Sequence, residues 1–410
     1  MKQSTTKKTT VLTLAIVVAA LGYFVDIYDL LLFGIIRKPS LISLGLTPEQ
    51  VLTEGEKIIS IQMIGLLLGG FIWGIMGDKK GRLSVLFGSI FLYSVANIAN
   101  GMVTNVSQYA WCRFIAGIGL AGELGAGITL VSELVSKEKR GIATSLVAGV
   151  GLTGAVFAYF MKQTVHDWRL CYYIGGGMGF LLLLLRVSVF ESGIYTSVKE
   201  SEVQKGNILM LFNRGERFLR YLKCIAIGLP TWFVIGILIS FSDKFGTVLG
   251  IKEAIDPGKS IMIAYIGISI GDVLIGFVSQ WLRSRKKALY IFYGFTILSM
   301  FFYFHQINGT ATEMYLICGL LGFSTGFWAI FVTMGAEQFG TNLRATAATT
   351  IPNIVRGTLP LIILLFKWLR ERTDFTTGAS ITGAICVVLG LSAVYFSKET
   401  FGKDLDFVEY

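Results

Sequence analysis

Charge is scarce in this chain: Asp, Glu, Lys and Arg make up 15% of its 410 residues, against about a quarter in an average soluble domain. So few charges cannot dress the surface of a water-soluble globule, and the main solvent of the chain is lipid. Histidine is scarcer still. The two present, His166 and His305, lie near the ends of apolar stretches with no metal-ligand set or nucleophile beside them. No enzymatic activity, metal or cofactor is therefore expected. The five cysteines, Cys112, Cys171, Cys224, Cys318 and Cys386, fall one to a stretch. An odd count without paired spacing argues against a disulfide framework or a zinc site, and they read as packing residues.

One surplus stands beside these shortages, a formal net charge of +10. A basic balance points to nucleic acid when the bases line one face. Here Lys and Arg sit in short clusters between apolar runs, so they are topology signals and no nucleic-acid partner is expected.

Hydrophobic residues make up 53% of the chain, in recurring runs of about 20 residues, each able to cross a hydrocarbon core of roughly 30 Å as a helix. The start, Lys7-Lys8 and then an apolar run from Val11, imitates a secretory signal. That run continues past Gly34 and carries two aspartates, so it is kept as the first span. Spans are expected over 11–36, 58–77, 83–103, 107–131, 141–162 and 170–190, then over 221–242, 261–282, 288–306, 312–335, 346–369 and 376–396. The expected fold is an all-α membrane protein of twelve transmembrane helices. Residues 1–190 and 221–410 form two six-helix bundles, and the polar stretch 191–220 is a cytoplasmic linker. Lys and Arg concentrate in the first tail, on Lys79, Lys80 and Arg82, on Lys137, Lys139 and Arg140, on Arg283, Arg285, Lys286 and Lys287, and in the linker. By the positive-inside rule both termini are cytoplasmic, in an inner (plasma) membrane, with a monomer expected. Lys367, Arg370 and Arg372 are a local exception on the opposite side.

The two halves repeat. Glu133 is followed by Arg140-Gly141, and Glu337, at an offset of 204, is followed at the same interval by Arg344-Ala345. Gly74-Ile-Met-Gly-Asp78-Lys79-Lys-Gly81-Arg82 closes the second span. Gly276-Phe-Val-Ser-Gln280-Trp-Leu-Arg283 closes the eighth at an offset of 202. Two landmarks with nearly one spacing imply parallel six-helix halves related by an axis along the membrane normal.

The stretch from Gly74 to Arg82 matches, at every fixed position, the signature G-x-x-x-D-[RK]-x-G-[RK] between the second and third helices of the major facilitator superfamily. The whole chain resembles that family in topology. The resemblance implies alternating-access transport of a small solute at a site between the halves. It also implies a conformational latch at Gly74, Asp78, Lys79, Gly81 and Arg82, with Glu133, Arg140, Glu337 and Arg344 as gating ion pairs. The alternative for these charges is a turn that fixes topology alone. In the second half Gln280 replaces the expected aspartate, so that copy of the latch is weaker. Asp26-Ile-Tyr28-Asp29, Trp168-Arg169, and Arg186 with Glu191-Ser192-Gly193 resemble the aromatic-acid and metabolite proton symporters and their organic-ion relatives, although the proline usual after Glu-Ser is absent. Gly117-x-Gly119-x-x-Gly122 is nominally a dinucleotide fingerprint, but it lies inside one apolar span, where small residues serve close helix packing.

Charges inside a bilayer are costly unless paired or facing water, so those within spans are the functional candidates. Asp29, Asp26 and Asp272 are candidates for proton coupling, with Asp29 the first choice; the alternative is a permanent ion pair with an arginine. Arg356 and Arg113, one in each half, form a candidate clamp on an anionic group, because guanidinium meets carboxylate with two parallel hydrogen bonds. Pro352 and Pro360 flank Arg356 and loosen its helix. Tyr28, Trp232 and Phe327 are candidates for contact with substrate, the last two by stacking on a ring. The resulting expectation is proton-coupled symport of a small organic anion. Its rivals are transport or efflux of a cationic, zwitterionic or sugar-like solute, and a membrane sensor that moves nothing.

Overall fold

The computed structural model describes residues 2–80, 82–123, 140–191, 208–402 and 409. In the first half these form α1 (Lys2–Ser43), α2 (Pro48–Lys80), α3 (Arg82–Met102), α4 (Val106–Leu120), α5 (Arg140–Val165) and α6 (Trp168–Glu191). In the second half they form α7 (Gly215–Phe233), α8 (Ser242–Val248), α9 (Pro257–Trp281), α10 (Arg285–His305), α11 (Ala311–Thr325), α12 (Trp328–Glu337), α13 (Thr341–Gly357), α14 (Leu359–Arg370) and α15 (Phe375–Phe396). Among the described residues, ten segments are long and apolar enough to cross a membrane. Helix starts carry their own signals. Asn105, Asp256, Ser284 and Asp374 accept a backbone N–H at the first turns of α4, α9, α10 and α15, and Thr310 with Glu313 forms a capping box on α11, satisfying donors that the helix itself leaves unpaired.

Helix packing repeats between the halves. α1 lies along α5 and α6, α2 along α4, and α3 along α4 and α6. Six spans later α7 lies along α13 and α15, α9 along α11, and α10 along α11 and α15. The halves meet through two equivalent seams, α2 against α13 and α14, and α9 against α5. The glycines of the rejected dinucleotide pattern serve the packing of α4 on α2 and α3 inside the first half. A Cβ on Gly117 would stand 2.2 Å from the carbonyl oxygen of Gln62 on α2, and one on Gly119 would stand 2.6 Å from the Tyr93 nitrogen on α3.

Among the described residues, three spans of the second half expected to be continuous are interrupted. The seventh passes from α7 into a π-helix over Val234–Ile239, four residues after Pro230. The tenth divides into α11 and α12 at Gly326-Phe327. The eleventh divides into α13 and α14 at Thr358, with Pro360 in the first turn of the second piece. Proline removes a backbone donor and crowds the preceding turn, which accounts for the first and third of these breaks. The tenth is held by a side chain from elsewhere: Asp272 of α9 accepts the Ala329 N–H at 3.0 Å and so caps α12 inside the membrane-spanning region.

Among the described residues, three ion pairs join the halves at the helix ends remote from the chain termini. Arg37 of α1 pairs with Asp243 of α8 at 2.8 Å, Lys162 of α5 with Asp256 at the start of α9 at 2.7 Å, and Arg370 of α14 with Glu56 of α2. The last two occupy equivalent seams, each joining an acid on the second span of one half to a base on the fifth span of the other. The basic residues that broke the charge rule on this face are thus engaged: Arg370 by Glu56, and Arg372 by the Trp368 ring at 4.1 Å.

Candidate functional site

Among the described residues of the first half, Asp26, Asp29, Arg113, Glu123 and Arg186 are charges buried inside the bundle. α1 carries Asp26 and Asp29 on one face because they are three residues apart, and both are 0% exposed. Asp29 Oδ1 accepts both terminal nitrogens of Arg113 on α4, each at 3.1 Å, and Asn97 of α3 lies against the same carboxylate. Arg113 sits over the Tyr172 ring at 5.3 Å. Lower in the bundle Arg186 of α6 meets Glu123 through both oxygens, one at 3.0 Å. Gly22 of α1 makes room for that pair, since a Cβ there would stand 2.2 Å from a Glu123 oxygen. Two buried pairs are therefore internally neutral.

Asp26 is different. Neither of its oxygens accepts a hydrogen bond, and the cation acting on it is Arg356, across the interface on α13. Arg356 is 2% exposed, its Nε and Nη1 make no hydrogen bond, and its guanidinium lies 5.8 Å from both the Trp232 and the Trp328 ring centroids. The two indoles meet edge to face at 6.4 Å, and the Trp232 Nε1 is also without a partner. Tyr23 of α1 and Tyr265 of α9 complete the group, both within electrostatic reach of Arg356 and Asp26. Each interrupted span feeds this point. Trp232 stands in the last turn of α7, just before the π-helix, Trp328 opens α12, and Arg356 stands in the last turn of α13. Broken helices at the meeting of two repeats are the usual place for a transported solute, because there irregular backbone can face a cavity. A small cavity lined by Leu30, Gly34, Gln62, Trp232, Ser240 and Leu359, among others, continues from Trp232 toward the ion-paired face.

The sequence-selected residues separate into three groups. Asp26, Arg356 and Trp232 converge between the halves. Arg113 and Asp29 pair inside the first half, so Arg113 does not face Arg356 as the second jaw of a clamp. Tyr28 donates to the Cys171 carbonyl at 2.8 Å, and Phe327 stacks on Tyr293 at 5.4 Å in the second-half core. Asp272 is taken up by capping α12. Of the latch residues, Gly81 and Glu133 lie outside the described residues, as do the side chains of Asp78, Lys79, Arg82 and Arg140. Gly74 stands in α2, and Arg344 in α13. Glu337 accepts from Arg285 at 3.4 Å and from Thr400 at 2.6 Å, within its own half. Tyr23 and Tyr265 are not singled out by the sequence, and Trp328 is there only one of several aromatics of the tenth span, because an aromatic in a span carries no mark of which helix it faces.

A family model for the Major Facilitator Superfamily matches residues 12–362, and the chain belongs to that superfamily of membrane transporters. It is 27% identical to a niacin transporter, NiaP, of Acinetobacter baylyi, over 95% of this chain and 94% of that one. It is 26% identical to the sialic acid transporter NanX of Escherichia coli, over 82% of each. Identity to the 3-(3-hydroxy-phenyl)propionate transporter of Escherichia coli is 24%, over 82% of this chain and 83% of that one. In fold it is similar to the proton:xylose symporter XylE, with a TM-score of 0.74 at 16% identity, over 97% and 98% of the two chains. The protein is thus a multi-pass membrane transporter of small solutes, with twelve spans in the arrangement of that family.

Proposed function

We propose that this transporter carries a small organic monocarboxylate together with at least one proton. The observation that carries this is Arg356: a buried guanidinium with unpaired N–H groups, set between two indoles at the junction of three broken helices. Its free edge suits a carboxylate, and the aromatic walls suit the ring or apolar body behind it. Niacin, sialic acid and 3-(3-hydroxyphenyl)propionate, named for three relatives, are all carboxylic acids, which supports the same class.

Charge balance supplies the coupling. With Asp26 ionised and Arg356 protonated the site is neutral overall, while Asp29 and Glu123 are already matched by Arg113 and Arg186. A bound carboxylate adds one negative charge in a medium where an uncompensated charge costs several kcal/mol. A proton on Asp26 removes it. The same proton offsets the work of carrying an anion against an inside-negative potential, about 2.3 kcal/mol per charge per 100 mV. Asp26 thus becomes the preferred proton site and Asp29 its ion-paired neighbour. We place both termini and the 191–220 linker in the cytoplasm of a cell with this protein in its inner membrane. The six-span units 1–190 and 221–410 are the rocking bodies, and Gly74, Asp78, Lys79, Gly81, Arg82, Glu133, Arg140, Glu337 and Arg344 are the latch on that side. The ion-paired face is then external.

The test is uptake into proteoliposomes driven by a pH gradient, using labelled nicotinate, 3-(3-hydroxyphenyl)propionate and N-acetylneuraminate beside xylose and a quaternary amine. Accumulation of one carboxylate, abolished by collapsing the gradient, is the expected result. Movement of xylose or the amine alone overturns the anion assignment.

A further inference from the structure

A line of buried polar groups runs through the first half, apart from the site between the halves. At the ion-paired face it begins with Ser40, whose Oγ lies 3.3 Å from the Tyr109 hydroxyl, which in turn lies 2.7 Å from the Tyr172 hydroxyl. Tyr172 adjoins Arg113, the partner of Asp29. From Asp29 the line continues along one face of α3, where Asn97, Ser94 and Tyr93 are each 0% exposed. The Tyr93 hydroxyl, the Ser94 hydroxyl, the Asn97 Oδ1 and both oxygens of Asp26 make no hydrogen bond. Glu123 and Arg186 close the far end.

Buried polar atoms are stable only with hydrogen-bond partners, and in a lipid-embedded bundle no random solvent can supply them. A cluster of such atoms against two carboxylates has the chemistry of a site for water and the hydrated proton. The matching part of the second half lacks this character. There Tyr293 and Tyr303 of α10 donate to the backbone carbonyls of Ile227 and Leu238, at 2.7 and 2.6 Å.

We propose that this line, Ser40–Tyr109–Tyr172 and then the α3 face of Asn97, Ser94 and Tyr93, is the route by which the coupling proton reaches Asp26. Substrate meanwhile enters between the halves. The proposal rests on proton coupling at Asp26. In each hop a hydroxyl or water oxygen accepts a proton from the preceding group and passes its own forward, while the Asn97 amide orients a water and takes no proton, so no station is left charged and the Asp26 carboxylate is the sink. Arg113 holds Asp29 as a fixed wall of the route. The charged and titratable groups acting on Asp26 are Tyr23 and Asp29 on its own helix, Tyr93 on α3, and Glu123 just after α4. Tyr265 on α9 and Arg356 on α13 complete them; on α6 Arg186 is held by Glu123 and Tyr172 adjoins Arg113, while α5 meets α1 here with Gly151 and Gly154. Tyr109 and Tyr172 are relay residues that touch the proton on its way and not the solute.

Stopped-flow infrared spectroscopy on purified full-length protein tests this without any solute. The Asp26 carboxyl band is assigned by its loss in Asp26→Asn, and its growth is followed after an acid jump. Tyr109→Phe and Tyr172→Phe keep the ring packing and remove one oxygen each; Ser40→Ala removes the first station without touching a ring. The expected result is protonation of Asp26 slowed at least tenfold in these variants, with the final amplitude and the unfolding temperature unchanged. Equal rates in wild type and all three variants overturn the route. A wild-type band that never titrates sinks the coupling role of Asp26 itself, a separate and distinguishable failure.

Discussion

At the residue scale, the difference between the two aspartates of α1 is one of partners. Asp29 has Arg113, and Asp26 has no hydrogen bond at all. Asp26→Asn is expected to abolish accumulation driven by a pH gradient while leaving solute exchange between equal pools, measured with labelled nicotinate. Asp29→Asn acts differently, by stranding Arg113 as a buried unpaired cation, at a cost of about 3–5 kcal/mol. It shows as a lowered unfolding temperature, and Asp29→Leu with Arg113→Leu recovers most of it. Arg356→Lys keeps the charge and loses the planar fork, so affinity for a carboxylate should fall by roughly thirtyfold or more, the order expected when a buried charge-pair geometry is broken. Equal affinity of wild type and Arg356→Lys, read by isothermal titration, would show that the fork does not bind the solute.

At the element scale, the interrupted helices turn an otherwise regular second half into a site. Asp272 shows how a charge at membrane depth serves architecture: it caps α12, where the helix dipole is positive and an N–H would otherwise be unpaired. Asp272→Ala should cost about 0.5–2 kcal/mol and fray α12 at Trp328, so faster amide exchange is expected at Ala329 and the residues after it. Outside the membrane-spanning segments, Asp374 is pushed down to about 2 by hydrogen bonds from Thr376 and Thr377 at the start of α15. A depressed carboxyl stabilises the fold above its unfolded value, about 3.9, and that contribution disappears as pH falls through about 2. Exchange at Thr376 and Thr377 should therefore accelerate on acidification through that window, and in Asp374→Ala it should be fast at every pH. The side chain is largely exposed, so the effect stays local.

At the scale of the whole molecule, three ion pairs hold the halves together on one face: Arg37–Asp243, Lys162–Asp256 and Glu56–Arg370. Alternating access requires these to open together, since two packed arrangements exchange as units. Charge reversal tests their role. Glu56→Arg alone should open that face and expose a cysteine placed at buried Ser240 to a membrane-impermeant maleimide, whereas Glu56→Arg with Arg370→Glu should protect it again. Labelling that ignores both changes would mean that the pairs are ornaments of a face closed by packing alone.

The spans, the six-span repeat and the family signature at Gly74–Arg82 were legible in the sequence because they are local: hydrophobic runs, spacing and a short motif are written along one dimension. So was the list of buried charges, since any ionisable residue in an apolar run declares itself. Which charges meet was not legible. Arg113 and Arg356 look equivalent along the chain, one arginine in each half. Helix rotation turns the first inward to Asp29, in its own bundle, and the second, between Trp232 and Trp328 of its own half, toward Asp26 across the interface. Rotation is set by how small residues such as Gly117, Gly119 and Gly154 let backbones approach, a property of helix pairs and not of any one helix. The sequence therefore determined membrane class, repeat and candidate residues. The tertiary structure decided their pairing, the three breaks that build the site and the unpaired state of Asp26 and Arg356, because burial and partnership arise only when helices distant in the chain pack side by side.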